Sequence, residues 1–139
     1  MENASLKRIL YVEDEPDIQV VARLALENIG GFTLKVCSSG NEAVGAAAEF
    51  APDMIVLDVM MPGLDGPTTL QELRKIRSLA NTPAVFMTAK VQPQEVAHYK
   101  RIGAIDVIVK PFDPITLSSS LTAVWERWHA AQGHPAAAM

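Results

Sequence analysis

Met54-Ile55-Val56-Leu57-Asp58-Val59-Met60-Met61-Pro62-Gly63 is the stretch whose reading decides the fold of this chain. Four apolar residues, suited to a strand buried on both faces, run directly into an acid. A turn rich in Pro and Gly, Met61-Pro62-Gly63-Leu64-Asp65-Gly66, follows. Such a strand belongs in the middle of a parallel sheet, and its last residue emerges at the carboxyl edge. Open α/β sheets bind ligands at that edge. An aspartate held there by a rigid strand acts as a nucleophile or a metal ligand; the plainer role is to cap the next turn. The rest of the chain decides between them.

Working outward, Ile9-Leu10-Tyr11-Val12 reads as a buried strand closed by Glu13-Asp14-Glu15. Pro16 suits the first turn of a helix. Ile18, Val21, Leu24, Ala25 and Ile29 recur at helical spacing until Gly30-Gly31 stops the helix. Phe32 to Cys37 is a second strand, nearer an edge. Asn41 to Phe50 is an Ala-rich helix that Pro52 terminates. Beyond the central strand, Gly66-Pro67 opens a helix through Leu70, Leu73 and Ile76, with Arg74, Lys75 and Arg77 on the solvent side. Ala84-Val85-Phe86-Met87 is a fourth strand ending at Thr88, followed by a polar helix from Gln92 to Ile102. Val107-Ile108-Val109 is the last strand and leads into Lys110-Pro111. A final helix spans Pro114 to His129 with Leu117, Leu121, Val124 and Trp128 inward; Trp125 is the candidate for an exposed contact surface. Five strand–helix units in succession predict an α/β fold with helices on both faces of a parallel sheet.

The bulk properties narrow the function. A length of 139 residues suits one domain; residues 1–131 form it, with 132–139 as a flexible tail. The formal charge of −4 argues against a nucleic-acid surface, which needs clustered Lys and Arg. The single cysteine, Cys37, excludes an internal disulfide and reads as a plain buried thiol. The N-terminus is neither a signal peptide nor a membrane span, so the expected location is the cytoplasm. His98, His129 and His134 are scattered over outer helices and tail, with no pattern of metal ligands.

The strands deliver a distinctive set to the carboxyl edge: Glu13 and Asp14, then Asp58, Thr88 and Lys110. The second strand offers only Ser38 and Ser39. Structural caps would be Asn, Ser or Gly. Two carboxylates about 5 Å apart repel by about 3 kcal/mol at an effective dielectric of about 20, so such a cluster takes up protons or holds a cation. Carboxylates and carbonyls without thiolates select a hard ion, and Mg²⁺, with Mn²⁺ as a substitute, suits a site that also receives phosphate. Lys110 meets a carboxylate at rest and a phosphoryl group later; the Thr88 hydroxyl donates to a phosphoryl oxygen. These are the parts of a phosphoryl-transfer site.

The chain resembles the receiver domains of response regulators in two-component signalling, those of chemotaxis regulators among them. The resemblance rests on Tyr11-Val12-Glu13-Asp14-Glu15, Leu57-Asp58-Val59-Met60-Met61-Pro62-Gly63-Leu64-Asp65-Gly66, Met87-Thr88-Ala89-Lys90 and Val109-Lys110-Pro111-Phe112. It implies a flavodoxin-like doubly wound sheet of order 2-1-3-4-5. It implies that Asp58 accepts a phosphoryl group from a histidine kinase or histidine phosphotransfer protein. Asp14, Asp58 and the backbone carbonyl of Met60 would bind Mg²⁺, with Glu13 helping through water. Thr88, Ala89 and Lys110 would contact the phosphoryl group, and the bond before Pro111 would be cis. A downstream protein would dock on the last two helices and last strand, with no nucleic acid or membrane as partner and the chain a monomer or weak dimer. The chain would catalyse only its own phosphorylation and a slow autodephosphorylation, without being an enzyme in the usual sense.

Two departures stand out. The family's last strand carries Tyr or Phe three residues before the lysine, moving with the Thr hydroxyl as a switch; here that position is Val107. The side chains flanking the path of a hydrolytic water are Met60 and Lys90, and Met60 cannot orient one. Three other readings compete. A haloacid-dehalogenase-type phosphatase needs a second Asp where Met60 stands. A pseudo-receiver would lack one of Asp14, Asp58 and Lys110. The third reading, a receiver excised from a hybrid kinase or larger regulator, meets no such obstacle.

Overall fold

Val56 and Leu57 sit at the centre of a five-stranded parallel sheet in a computed structural model that describes residues 5–132. The strands are β1 (Arg8–Val12), β2 (Thr33–Cys37), β3 (Met54–Asp58), β4 (Ala84–Thr88) and β5 (Asp106–Val109). Their order is β2-β1-β3-β4-β5, which is the flavodoxin-like arrangement expected. The helices are α1 (Pro16–Arg23), α2 (Gly40–Phe50), α3 (Gly66–Arg74), α4 (Pro93–Arg101) and α5 (Leu117–Ala131). Every residue of β3 and β4 is buried, as continuous apolar runs require of strands covered on both faces.

Alternation along the strands splits the core in two. Leu10, Val12, Ile55, Leu57, Ala84 and Phe86 face Ala43 and Ala47 of α2 and Leu70 and Leu73 of α3. Ile9, Tyr11, Met54, Val56, Val85 and Met87 face Ala22 of α1 and Leu117, Leu121 and Val124 of α5. Local sequence sets the ends. Ser39 caps α2 by accepting from Glu42 N–H at 3.0 Å, and Asp65 caps α3 by accepting from Thr68 N–H at 2.8 Å. Asp53 accepts from the backbone N–H groups of Lys7 and Arg8 at 3.0 and 2.9 Å, tying the start of β1 to the loop before β3.

Four expectations are corrected. On α1 the buried residues are Ala22, Ala25 and Leu26, while Val21, Leu24 and Ile29 are exposed. Those three keep helical spacing on a face that Val21 and Leu24 do not share, and the helix then widens into a π-helical stretch over Leu24–Ile29 that ends with Ile29 exposed. The carbonyl of Ala25 accepts instead from Gly30 N–H at 3.1 Å and Ser118 Oγ–H at 2.6 Å. The face of α5 ends on Trp125, 7% exposed and stacked on His129 at 4.8 Å, whereas Trp128 is half-buried. Trp125 completes the stripe of Leu117, Leu121 and Val124; Trp128 lines a hollow with Pro52, Asp53 and Pro83. The helix begins at Leu117 because Asp113 holds a turn, its side chain accepting from Ile115 N–H at 2.9 Å. Arg74 is not a solvent-side residue: its guanidinium donates to the carbonyls of Leu79 and Thr82 at 2.9 and 2.6 Å, binding together the end of α3 and the 3-10 turn Arg77–Leu79. His134 and all but the first residue of the tail at 132–139 lie outside the described residues. No helix among the described residues is long and apolar enough to cross a membrane.

Candidate functional site at the carboxyl edge of the sheet

β1 and β3 are adjacent and parallel, with Val12 level with Leu57. The residue after each pair therefore brings Glu13 beside Asp58, and Asp14 follows in the loop. Glu13, Asp14 and Asp58 each offer a carboxylate oxygen, all within 4.8 Å of one another. Glu13 is fully buried, Asp58 is 5% exposed and Asp14 is half-buried.

Lys110 answers that charge from β5. Its Nζ lies 2.9 Å from Glu13 Oε1 and 3.3 Å from Asp58 Oδ2, with only 16% of the side chain exposed. The second Glu13 oxygen accepts from Glu15 N–H at 3.2 Å. Burial raises the Glu13 pKa, against the hydrogen bond from Lys110, which works to lower it. For Lys110, burial works the other way, but the hydrogen bond to Glu13 and the charge of Asp58 outweigh it, so its pKa is raised and the ammonium is secured. The lysine is therefore the resting counter-ion of two acids, with Glu13 the nearer.

The backbone fixes this geometry. Lys110 N–H donates to Thr88 O at 2.9 Å, and Val59 N–H donates to Met87 O at 3.0 Å, extending the sheet past the last assigned residues. Thr88 is 4% exposed, and its Oγ1 accepts from Lys90 N–H at 3.1 Å. Ala89 and Lys90 are exposed in the loop beyond. The Lys110–Pro111 peptide is cis. Gly66 is pressed onto the end of β3: a Cβ there would stand 2.5 Å from Asp58 O and 2.9 Å from Val59 Cα. Met60 points outward, 74% exposed, while Val59 and Met61 on either side are buried. Val107 is half-buried on β5, level with Phe86 of β4 and three residues before Lys110.

The sequence-predicted residues thus come together in two groups. Glu13, Asp14, Asp58 and Lys110 form one charged cluster; Thr88, Ala89 and Lys90 form the adjoining loop. Val107 stands apart. Two contributors went unread in the sequence. Gln19 on α1 donates to the backbone carbonyl of Glu13 and to Ser38 Oγ, at 3.1 Å in the latter, tying β1 to β2 at the rim. Tyr11 lies beneath the acids, a place the alternation Tyr11–Glu13 would have revealed.

A carboxylate on a central strand, two acids beside it and a lysine bridging them can hold a hard cation and neutralise an incoming phosphoryl group. Comparison with known proteins agrees. Residues 9–122 match the family model described as the response regulator receiver domain. A probable transcriptional regulator of Guillardia theta, ycf27, is 34% identical over 90% of this chain and 48% of its own length. The transcriptional activator protein IrlR of Burkholderia pseudomallei is 36% identical over 90% of this chain and 53% of its own. The chain thus spans about half the length of these relatives. Among solved structures, the chemotaxis protein CheY4 of Vibrio cholerae superposes with a TM-score of 0.79 at 28% identity, covering 86% of this chain and 99% of that one. The family match over most of the chain, with the sheet order and the clustered acids, shows that the chain belongs to the response regulator receiver domains of two-component systems.

Proposed function

We propose that Asp58 is the phosphoacceptor. A carboxylate oxygen of Asp58 attacks the phosphorus of a phosphohistidine donor, the P–N bond breaks, and the imidazole leaves with a proton. The observation that carries this reading is Lys110 Nζ set between Glu13 and Asp58 at 2.9 and 3.3 Å. A cation so placed neutralises the acids at rest and lies within reach of a group added to Asp58. Thr88 and the backbone of Ala89 take the remaining phosphoryl oxygens. Incubation with phosphoramidate and Mg²⁺ should add one phosphate to the parent and none to Asp58→Asn. Equal labelling of the two would overturn the assignment.

The donor set fits a hard divalent cation, being made of carboxylates whose oxygens lie within 4.8 Å. Asp14, Asp58 and the Met60 carbonyl would hold it, with Glu13 behind them. Bound there, Mg²⁺ or Mn²⁺ supplies positive charge against the phosphoryl oxygens. The protein's own part is to keep the three acids converged and to hold Lys110 protonated.

Receiver domains work with histidine kinases or phosphotransfer proteins, and we infer that this one passes its signal through α4, β5 and α5. α4 has no buried residue, so it is free to move with the Thr88–Lys90 loop where a Val at position 107 has no ring to swing. Structures with and without beryllofluoride should differ in that loop and in α4. Changes confined to the loop after Asp58 would contradict this. The reading that residues 1–131 are the receiver part of a longer protein is favoured by the length of the relatives. Some of these are named as DNA-binding or transcriptional regulators, and one similar structure is the receiver domain of a histidine kinase from Syntrophus aciditrophicus, with 30% identity and a TM-score of 0.74 over 87% of this chain and 91% of that one.

A further inference from the structure

Tyr11 precedes Glu13 by two residues on β1, so strand alternation puts both side chains on one face of the sheet. In register Tyr11 lies opposite Val56, which precedes Asp58 by two residues on β3. The phenol is therefore one pleat below the two buried carboxylates. Its side chain is enclosed, 1% exposed, in the cluster that contains Val56, Met87 and Leu121. Its hydroxyl has no hydrogen-bond partner. Among the described residues only Thr69 Oγ1 shares that condition, and Thr69 packs against Gly40, where α2 meets α3.

A buried hydroxyl without a partner is unfavourable, and a native structure that keeps one calls for a reason. The surroundings suggest it. A phenol keeps its proton at neutral pH, so this enclosed hydroxyl is a donor with nothing to donate to. Of the carboxylate oxygens above it, Glu13 Oε2 accepts from Glu15 N–H, while Glu13 Oε1 and Asp58 Oδ2 share one ammonium, Lys110. Turning that ammonium toward a phosphoryl group strips Glu13 Oε1, on a fully buried side chain, of its closest donor.

We propose that the Tyr11 hydroxyl is a reserve donor for this site: when Lys110 turns from Glu13 to a phosphoryl group on Asp58, Tyr11 donates to Glu13 in its place. Tyr11 is then a positioning residue, acting through Glu13 and Lys110, and it stabilises the phosphorylated state alone. The inference rests on the reading of Asp58 as acceptor.

The test compares the parent with Tyr11→Phe, which keeps the ring and removes the hydroxyl, using Mg²⁺ with beryllofluoride as the phosphoryl mimic. Without ligand, Tyr11→Phe should melt at or above the parent temperature, since an unpartnered hydroxyl has gone. With ligand it should bind beryllofluoride about tenfold more weakly, the size of one hydrogen bond to a charged group. Thr69→Val, which removes the other unpartnered hydroxyl, should bind like the parent. In protein carrying ¹³Cζ-tyrosine, one of the two tyrosine signals belongs to Tyr11 and is assigned by its loss in Tyr11→Phe. That signal should shift when beryllofluoride binds. A parent that binds no beryllofluoride overturns both the acceptor reading and the reserve donor. A parent that binds, with Tyr11→Phe matching it or the Tyr11 signal unmoved, overturns the reserve donor alone.

Discussion

β3 and β5 each lead to a charged residue of the same site, Asp58 and Lys110, but they are held very differently. All five residues of β3 are buried, and it pairs with a strand on either side. β5 is an edge strand with three half-buried residues and an exposed fourth, and the helix before it, α4, buries nothing fully. The edge-to-face contact of Tyr99 with Phe86, at 5.4 Å between ring centres, gives α4 an aromatic anchor on the sheet. The acids are thus fixed by the most tightly packed part of the molecule, and the lysine that answers them comes from the most thinly covered. A signalling site needs both: converged acids for the chemistry, and a flank with low local stability for the response.

The sharpest way to break this contrast is to truncate one side chain on each strand. Leu57→Ala should cost about 2–5 kcal/mol of stability, as for a fully buried leucine. Val107→Ala should cost about 1 kcal/mol, since less apolar surface is lost from a half-buried position. Denaturant melts decide it, and equal losses would show that β5 is as firmly packed as β3. The proposed Mg²⁺ would act next, through the acids converged at the ends of β1 and β3. At a hundred times its dissociation constant it should add about 2.7 kcal/mol, because it binds only the folded site. Asp14→Ala should abolish most of that gain, and a melting shift as large as in the parent would remove the metal from this cluster.

Met60, solvent-facing where its neighbours are buried, tests the proposed phosphorylated state through its lifetime. Met60→Asn supplies a group that can orient water and should speed phosphate loss about tenfold, equivalent to about 1.4 kcal/mol. Decay no faster than in the parent would clear this position. The smallest effect concerns Cys37 at the end of β2. Burial pushes its thiol up to about 11 from an ordinary 9. A raised folded value favours the neutral thiol, so its contribution to stability is whole below about 9 and is lost as pH rises through about 11. Thiol reagents should leave Cys37 nearly untouched at neutral pH unless the protein is unfolded. Rapid labelling of the folded protein would place Cys37 outside the tight part of the structure.

Much of this was legible in the sequence because strands buried on both faces leave a plain signal. β3 and β4 appear as unbroken apolar runs, and the parallel fold carries their ends to one edge, so the site could be assembled from Glu13, Asp14, Asp58, Thr88 and Lys110 before any distance was known. The helices were harder. The buried face of α1 keeps helical spacing at Ala22, Ala25 and Leu26, but small alanines mark it less plainly than Val21 and Leu24 mark the exposed side; nothing in Leu24–Ile29 announces that a serine from α5, far along the chain, will share the Ala25 carbonyl with Gly30 N–H. Trp125 and Trp128 differ by one helical turn, and only the packing of α5 shows which of them the core admits. Arg74 looked like one of three surface cations, but its partners are backbone carbonyls of Leu79 and Thr82, which a reading of side-chain types does not include.

Gly66 gives the site a property beyond its chemistry. The first residue of α3 rests against the peptide group of the acceptor, with no room for a methyl group between them. A displacement of the start of α3 therefore presses on the Asp58 peptide. With Asp58 as the acceptor we propose, a partner whose binding repositions α3 would change the balance between free and phosphorylated Asp58, and phosphorylation would change the affinity for that partner by the same factor. Reciprocity of this kind makes the target of a signal also one of its inputs.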